Sequence, residues 1–467
     1  MTSADHGILA PAWAATKAGA LVDDDAVLAA MLRTEVALAA AQAELGMIPE
    51  QAADAIRAVA AAAVIDPEAV AAGVRETANP VVAFVGQLTA AVRRVDPAAA
   101  EYVHRGSTSQ DILDTALMLL CASVLEQIER DLLAAAQGLA VQADRHRDTT
   151  MAGRTLTQHA VPVTFGLKAA GWLDLVLDAV ERVRRCRGTL PASMGGAAGT
   201  LAAYHEYALG TGEAADRTVS LPGLVAARLG LVEQSLPWHG ARTPLADVAS
   251  ALLITTGALG KIAADVLVLS RTEIGEVSEE QAPGRGASSA MPQKHNPVFS
   301  TLVATAARQL PPLALVLFQS MVAEDERSSG AWHAEWQPLR ECLRIALGAA
   351  QNGAQLVRSL RVNPAAMTAN LQLTKGAIVS ERLNVALAPR LGKGPAKQLL
   401  ARATTRAERD DADLLGVLAA DLAEAGVSDR ELSDLSDLLD PAGYTGISAR
   451  LVDRALARLD IVLKESA

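Results

Sequence analysis

Apolar residues recur at helical spacing over unusually long stretches in the middle of the chain. The segment from Asp111 to His146 has no proline and one glycine, which predicts a helix of about 30 residues or more, whereas an average helix has about 11–12. Such helices predict an elongated bundle, and several are apolar around most of their circumference, so we expect further copies of the chain to cover them. The other long stretches are 161–186, 245–277, 297–321 and 332–360.

The two ends of the chain show shorter helical patterns. Asp23–Leu45 carries apolar residues at helical spacing, and another helix is predicted to begin at Pro80 with Asn79 as its N-cap. Shorter patterns return after Pro364. We therefore predict an all-α subunit of three domains. These are a small helical domain over 1–110, a central long-helix bundle over 111–362 and a small helical domain over 363–467.

Composition restricts the class of partner. The chain has 467 residues, 51% of them hydrophobic and 3% aromatic, and its 42 Lys+Arg against 53 Asp+Glu give a net charge of -11. This acidic balance argues against nucleic acid as the main partner, but a locally basic pocket can still bind an anionic small molecule. Three separated cysteines fit a reducing compartment, and no signal-peptide pattern or membrane-spanning run stands out. We expect a soluble cytoplasmic protein with no membrane partner.

The strongest chemical signal is the segment PGRGASSAMPQKHNP, residues 283–297, which lies between two of the long helical stretches. A run rich in Gly and Ser is often a flexible connector, but the ordered combination SSxMPxKxNP is much rarer. Its hydroxyls, backbone N–H groups, lysine and asparagine are the parts needed to bind a carboxylate and to move a proton beside it. The groups concerned are Ser288, Ser289, Lys294 and Asn296.

Hydroxyl side chains also precede the longest predicted helix. Ser107, Thr108 and Ser109 come just before Asp111, near the start of that helix. Free N–H groups and hydroxyls at a helix N-terminus form an anion site, although the same residues can serve as a plain N-cap.

A second polar group precedes another long helix, which we predict to begin at about Val161. It consists of Arg154, Thr155, Gln158 and His159. The residues alone leave open whether His159 belongs to a site or is a buried, hydrogen-bonded histidine of the core.

Together these segments resemble the three signature regions of the fumarase/aspartase superfamily. HRGSTSQDILDT, residues 104–115, resembles the first region, GRTLTQHAVPVTFGLK, residues 153–168, the second, and the loop over 283–297 the third. The superfamily includes fumarase, aspartase, argininosuccinate lyase, adenylosuccinate lyase and 3-carboxy-cis,cis-muconate cycloisomerase. The resemblance spans nearly the whole chain. It implies a homotetramer with a shared helical core, in which each active site joins the three regions from three different subunits.

Departures from the superfamily pattern narrow the choice of branch. Many members have a histidine directly after Gly–Arg–Thr of the second region, where this chain has Leu156. Adenylosuccinate lyases also have a histidine in a segment like RHDVVAF, where ANPVVAF of this chain has Asn79. The stretches LPWHGAR, residues 236–242, and EDERSSGAWHAEW, residues 324–336, are instead similar to bacterial carboxymuconate cycloisomerases. In that branch we expect Trp rather than Leu156.

The resemblance implies an isomerase of aromatic-compound catabolism. It would lactonise 3-carboxy-cis,cis-muconate to 4-carboxymuconolactone in the protocatechuate branch of the beta-ketoadipate pathway. The intermediate is an aci-carboxylate with extra negative charge, which fixed cations and N–H donors stabilise. Because Lys and Arg supply the positive charge, and no ligand cluster or dinucleotide fingerprint is found, we expect no metal and no cofactor.

Residue roles follow from the same resemblance. Ser288 transfers the proton, Lys294 and Asn296 bind the carboxylate that becomes the aci-carboxylate, and His159 orients the substrate or shuttles a proton. The other expected substrate-binding residues are His104, Ser107, Thr108, Ser109, Arg154, Thr155, Gln158, Arg242, Ser289 and Arg327.

Two alternatives stay open. One is another lyase of the superfamily that releases fumarate, as adenylosuccinate lyase does, although the two missing histidines argue against that enzyme. The other is a non-enzymatic scaffold built on the same fold, like the lens crystallins related to argininosuccinate lyase. A scaffold would not need the set of Ser288, Lys294 and Asn296, which is intact.

Overall fold

The structure, a computed structural model, describes residues 6–209, 214–287, 291–424 and 437–465. Helices are the main elements there, as the sequence predicted, and the all-α class is confirmed. The helices are α1 Ala18–Leu21, α2 Asp24–Glu44, α3 Glu50–Ala62, α4 Pro67–Thr77, α5 Pro80–Val95, α6 Ser109–Arg145, α7 Phe165–Arg187, α8 Ala202–Ala208, α9 Ala214–Leu229, α10 Thr243–Leu269, α11 Val298–Gln319, α12 Ala331–Ser359, α13 Pro364–Leu371, α14 Ser380–Leu391, α15 Lys393–Arg409, α16 Leu414–Glu424 and α17 Ser448–Lys464.

Most of the predicted long helices are confirmed to within two residues at each end. Two boundaries were wrong. Helix α7 begins at Phe165 rather than at about Val161, because Gln158–Thr164 forms a strand rich in β-branched residues. Helix α10 ends at Leu269, eight residues before the predicted end, and Gly275 with φ +60° lies in the turn that follows.

Two short antiparallel hairpins interrupt the helices. Strands β1 (Thr150–Thr155) and β2 (Gln158–Thr164) pair with a bulge between Ala152 and Arg154. At this bulge a Cβ on Gly153 would lie 2.5 Å from the carbonyl oxygen of Val161, so only glycine fits without a shift. Strands β3 (Val277–Glu279) and β4 (Leu360–Val362) form the second pair.

The chain divides into two compact units, each assembled from separated segments. Unit 1 comprises 1–132, 179–260 and 302–352, and unit 2 comprises 133–178, 261–301 and 353–467. Several long helices contribute one part to each unit. The three consecutive domains expected from the sequence stay a prediction.

The core of unit 1 includes completely buried apolar side chains from several helices. Helix α2 buries Met31 and Leu38, α6 buries Ile112 and Leu125, and α5 buries Phe84. Asn79 caps α5 as predicted, because its side chain accepts a hydrogen bond from the Val81 backbone N–H at 2.9 Å.

Unit 2 has two hydrophobic clusters among its described residues. The larger one joins α14, α15 and α16 through residues such as Leu383, Leu400 and Leu418. The smaller one includes Ala152 of β1 and Leu371 of α13, so it supports the β1–β2 hairpin from one side.

Three helical stretches have the length and apolar composition of a membrane span, judged by those two criteria alone. They are Ala18–Glu44, Thr243–Leu269 and Val298–Gln319. In α10 half of the apolar window is buried within the chain, and in α11 one third. The rest of each window is not buried within the chain.

Candidate active site

A hydrogen-bonded group of side chains around the cation Arg327 lies in unit 1 at the N-terminus of α6, the 37-residue helix, and is called the Thr108–Arg327 cleft below. The guanidinium of Arg327 donates from Nε to the Gln110 side-chain oxygen and from Nη2 to the Thr108 hydroxyl, both at 2.9 Å. Nη2 also lies 3.3 Å from the backbone oxygen of Ala197. In the described part of the chain Nη1 has no partner and no carboxylate pairs with Arg327, so this cation is available to an anion.

Asp111, in the first turn of α6, accepts hydrogen bonds from several residues around the cleft. Its buried carboxylate accepts hydrogen bonds from His239 Nε2 at 2.8 Å, from the Tyr204 hydroxyl at 3.1 Å and from the Thr108 backbone N–H at 3.1 Å. The backbone N–H groups of Gly195 and Gly196 and the hydroxyl of Ser107 complete the set. A carboxylate with this many donors fixes the backbone of the Ser107–Thr108 turn.

Arg242 was expected to bind substrate, but the structure places it in a buried ion-pair network. It donates to both oxygens of Asp114, at 2.7 and 3.1 Å, and to Glu335 at 2.7 and 3.0 Å. Burial alone opposes its charge, but the two carboxylates outweigh burial and raise its pKa. Its charge is already compensated, so here Arg242 acts as a structural cation, and substrate binding by Arg242 stays a prediction without support in this geometry.

His104 precedes the cleft and pairs with a buried carboxylate. Its Nδ1 lies 2.6 Å from Glu35 Oε1, and its backbone has φ +56°. Burial alone would lower the pKa of His104, but the carboxylates of Glu35 and Asp111 raise it above the ordinary value. The positive charge of His104 is thus favoured next to the Thr108–Arg327 cleft.

The second candidate region, in unit 2, is the tip of the β1–β2 hairpin. Thr155 pairs with Gln158, and the two residues between them, Leu156 and Thr157, have φ +48° and +73°. Positive φ at both central positions is the geometry of a type I′ turn, which favours Asn and Gly. Thr155 and Gln158 are exposed, and the Leu156 side chain is 96% exposed. A single exposed apolar side chain is common on protein surfaces, and nothing in the described part of the chain covers Leu156.

Arg154 and His159 face each other across the same hairpin. Arg154 makes a two-pronged ion pair with the buried Glu276, at 2.7 and 2.9 Å, and Asn370 donates to the same carboxylate at 2.8 Å. Burial, and secondly the charge of Arg154, lower the pKa of His159, and its buried Nδ1 has no partner in the described part of the chain. A neutral imidazole with one uncommitted nitrogen is suited to accept or relay a proton.

The signature loop is held at its base. The Asn296 backbone N–H donates to the Gly286 oxygen at 3.0 Å, and Ala287 bridges to His295. The Asn296 side-chain amide donates to the same oxygen at 3.2 Å. The Lys294 side chain is exposed and makes no ion pair with the rest of the described chain. Ser288 and Ser289, the expected proton-transfer residue and its neighbour, lie outside the described residues.

The structure brings the predicted residues together in two separate sets. Thr108, Ser107 and Arg327 are joined by hydrogen bonds in unit 1, with Ser109 opening the helix there, whereas Arg154 and His159 share the hairpin of unit 2. Sequence reasoning missed the buried carboxylates that support both sets, since single acidic residues within helical patterns give no signal of burial. They are Asp111, Asp114, Glu276 and Glu335.

Among the described residues, no group of three or more His, Cys, Asp or Glu side chains is placed to hold a metal ion. The expectation that the protein needs no metal and no cofactor stays a prediction.

Comparison with known proteins gives matches along nearly the whole chain. Residues 15–311 match the Lyase family, and residues 376–455 match the adenylosuccinate lyase C-terminus family. Nitrosuccinate lyase of Streptomyces davaonensis is 53% identical over 459 residues, which cover 98% of this chain and 95% of the relative.

Carboxymuconate cycloisomerases are also similar to the chain. 3-Carboxy-cis,cis-muconate cycloisomerase of Pseudomonas aeruginosa is 42% identical over 94% of this chain and 93% of the relative. The crystal structure of 3-carboxy-cis,cis-muconate lactonizing enzyme from Pseudomonas putida superposes with a TM-score of 0.88 at 35% identity, covering 98% of this chain and 100% of that one. The chain therefore belongs to the Lyase family, as an enzyme of the fumarase/aspartase superfamily.

Proposed function

We propose that the protein is a β-eliminating lyase whose substrate is nitrosuccinate, cleaved to fumarate and nitrite. The observation that carries this proposal is the 53% identity to a nitrosuccinate lyase over 98% of the chain. Support comes from the Thr108–Arg327 cleft, whose free cationic donors suit a carboxylate or another planar oxygen anion.

The reaction needs one proton acceptor and a place for extra negative charge. A base takes the proton from the carbon next to one carboxylate, and the C–H electron pair moves into that carboxylate to form an aci-carboxylate. The pair then forms the C=C bond of fumarate, and the C–N bond breaks with its electrons leaving on nitrite. Fixed donors and cations around the aci-carboxylate lower this barrier most.

We assign these tasks to individual residues by the resemblance of the chain to the superfamily. Ser288 is the proposed base, and Lys294 and Asn296 hold the carboxylate that becomes the aci-carboxylate. Thr108 and Arg327 hold a second planar group. The neutral His159 receives or relays the proton.

In this proposal each active site is formed by residues from more than one copy of the chain. A homotetramer supplies these copies and covers the exposed apolar tip at Leu156 and the half-covered helix α10. Light scattering should then give about four times the 48.5 kDa chain mass, since closed symmetric assemblies are the common solution. A stable, active monomer would contradict this proposal.

A second candidate function is the lactonisation of 3-carboxy-cis,cis-muconate, and it is favoured by a specific observation. The cycloisomerases of that substrate are 36–42% identical over most of the chain, and the structure of one superposes with a TM-score of 0.88. The two reactions make similar demands, because a nitro group is planar with two oxygens, like a carboxylate. Both substrates thus present three such groups to one site.

The deciding experiment supplies the purified protein with each substrate separately. Nitrosuccinate should yield nitrite and fumarate in equal amounts, whereas turnover of carboxymuconate would be seen as loss of the diene absorbance. The matched control is Ser288→Ala, which should lower kcat by on the order of 10²-fold or more. Turnover of carboxymuconate alone would establish the second candidate, and turnover of neither would leave another lyase of the superfamily or a non-enzymatic scaffold. Activity should survive exhaustive chelation.

A further inference from the structure

The glutamate that precedes the signature loop caps the helix that follows it. Glu279 ends β3, and its carboxylate accepts hydrogen bonds from the backbone N–H groups of Phe299 at 2.9 Å and Ser300 at 2.8 Å. The Ser300 hydroxyl donates to the same carboxylate at 2.7 Å. These N–H groups lie in the first turn of α11, where they have no partner within the helix and the helix dipole favours a negative charge. The contact therefore joins two segments that are about twenty residues apart in the chain.

Glu279 is itself fixed in place by the pairing of β3 with β4. It pairs with Leu360, which is 1% exposed, and the next backbone N–H, that of Glu280, donates to the Ser359 oxygen at 2.7 Å. Both carboxylate oxygens of Glu279 accept a donor, so a rotation of its side chain would break charge-assisted hydrogen bonds. The start of α11 is thus tied to a paired strand.

Two further contacts join the two sides of the signature loop above this cap. The second arm of the loop, defined as residues 291–297, contains Asn296, whose backbone N–H and side-chain amide both donate to the Gly286 oxygen. On the first side, the guanidinium carbon of Arg285 lies 4.7 Å from the centre of the Phe299 ring in α11. The second arm runs directly into α11, so the place where α11 begins determines where this arm lies.

We propose that Glu279 is a positioning residue, which holds the second arm so that Lys294 and Asn296 meet the substrate carboxylate. It acts through the first turn of α11 and does not touch the substrate. This role rests on the proposed function, in which Lys294 and Asn296 hold the carboxylate that becomes the aci-carboxylate. Their donors act most strongly on the charge of the transition state, so a small displacement should lower kcat more than it raises KM.

The first test is Glu279→Gln, which keeps the shape of the side chain but removes its charge and one acceptor oxygen. We expect kcat with the accepted substrate to fall about tenfold or more, while KM changes less than about threefold. The matched control is Asp66→Asn at the N-cap of α4, where the carboxylate accepts from the N–H groups of Glu68 and Ala69 at 2.9 and 3.3 Å. The control should keep the wild-type kcat. An unchanged kcat in Glu279→Gln would overturn the proposed role.

A second variant approaches the same contact from the helix. Ser300→Ala removes one donor and leaves the Glu279 carboxylate in place, so kcat should fall less than in Glu279→Gln. Because the two side chains touch, the double variant should lose less activity than the product of the two single losses. Fully multiplicative losses would overturn the assignment of the effect to this contact.

Hydrogen–deuterium exchange of the full-length protein, measured by mass spectrometry without substrate, separates this proposal from the proposed function. Glu279→Gln should speed exchange in peptides that cover the second arm and the first turn of α11, whereas Asp66→Asn should do so only in peptides of α4. Unchanged exchange in Glu279→Gln would overturn the proposal whichever substrate is accepted. If the wild type turns over neither substrate, the proposed function fails, and the exchange result alone supports or overturns the anchoring of the loop by Glu279.

Discussion

The two regions that carry the predicted chemistry differ in how many of their functional groups are paired within the chain. In unit 1 the Thr108–Arg327 cleft rests on the buried carboxylates Asp111 and Asp114, whose oxygens are all satisfied within the chain. In unit 2 the hairpin tip at Leu156 and the side chain of Lys294 are exposed. One region is organised by its own unit, and the other carries groups that have no partner in the described chain.

This difference separates the groups that contacts within the chain hold in position from those that such contacts do not. Buried charges must be paired to be tolerated, so the network around Arg242 specifies a single geometry for the cleft. Exposed cations and a single exposed apolar side chain need no partner for the chain to fold. They contribute to function only when a substrate or another subunit contacts them.

The largest expected effect comes from removing the central cation of unit 1. Arg242→Ala leaves Asp114 and Glu335 buried without their partner, so the free energy of unfolding should fall by about 3–5 kcal/mol. Denaturant unfolding at one fixed protein concentration measures this. The control is Arg57→Ala, which removes an exposed pair with Asp54 and should change stability by less than about 0.5 kcal/mol. Equal losses in both variants would show that the buried network around Arg242 contributes no more to stability than an exposed ion pair does.

A substitution of Arg327 in the cleft should lower kcat/KM more than it lowers the free energy of unfolding. Arg327→Lys keeps the charge but loses the planar fork that holds Thr108 and Gln110, so kcat/KM should fall on the order of 10²-fold. The free energy of unfolding should change less than in Arg242→Ala, since Arg327 is only partly buried and has no carboxylate partner in the described chain. Steady-state kinetics with the accepted substrate give the first value. The matched control is Arg361→Lys in an exposed ion pair, which should behave as wild type.

A smaller effect depends on pH. Because the pKa of His104 is raised in the folded chain, the native state binds its proton more tightly than the unfolded state. The stability from the His104–Glu35 pair is therefore complete below pH about 6.5 and is lost as pH rises through the folded pKa. The loss should be on the order of 1 kcal/mol, the net contribution of a typical intramolecular hydrogen bond.

His104→Gln should remove that dependence. Unfolding measured at several pH values from 6 to 9 should show a flatter curve for the variant than for the wild type. An unchanged slope would mean that another group is responsible.

The smallest effect concerns the hairpin tip of unit 2. Replacing Leu156 and Thr157 by Asn–Gly matches the positive φ of both positions, so stability should rise by about 1 kcal/mol. Thermal unfolding of the double variant checks this. If the exposed Leu156 contributes to a shared site, activity should fall even as stability rises. Activity equal to the wild type would show that the tip has no role in the reaction.

Part of the molecule was predictable because local rules determine it. Asn79 and Pro80 start a helix by capping and by proline geometry, and the long apolar stretches form α6, α11 and α12. The start of α7 was misjudged because the apolar run 161–164 suits a strand as well as a helix. The pairing of that run with Thr150–Ala152 decided the outcome.

The sequence by itself determined the helical class, the family and the residue types available for chemistry, because these depend on periodicity and on short ordered motifs. Only the tertiary structure decided which charges are free. It buried Arg242 between Asp114 and Glu335 but left Arg327 without a carboxylate partner among the described residues. Both are arginines in recognisable segments, and sequence reasoning gave them the same role. Their difference arises from desolvation and long-range pairing between helices, which no local pattern encodes.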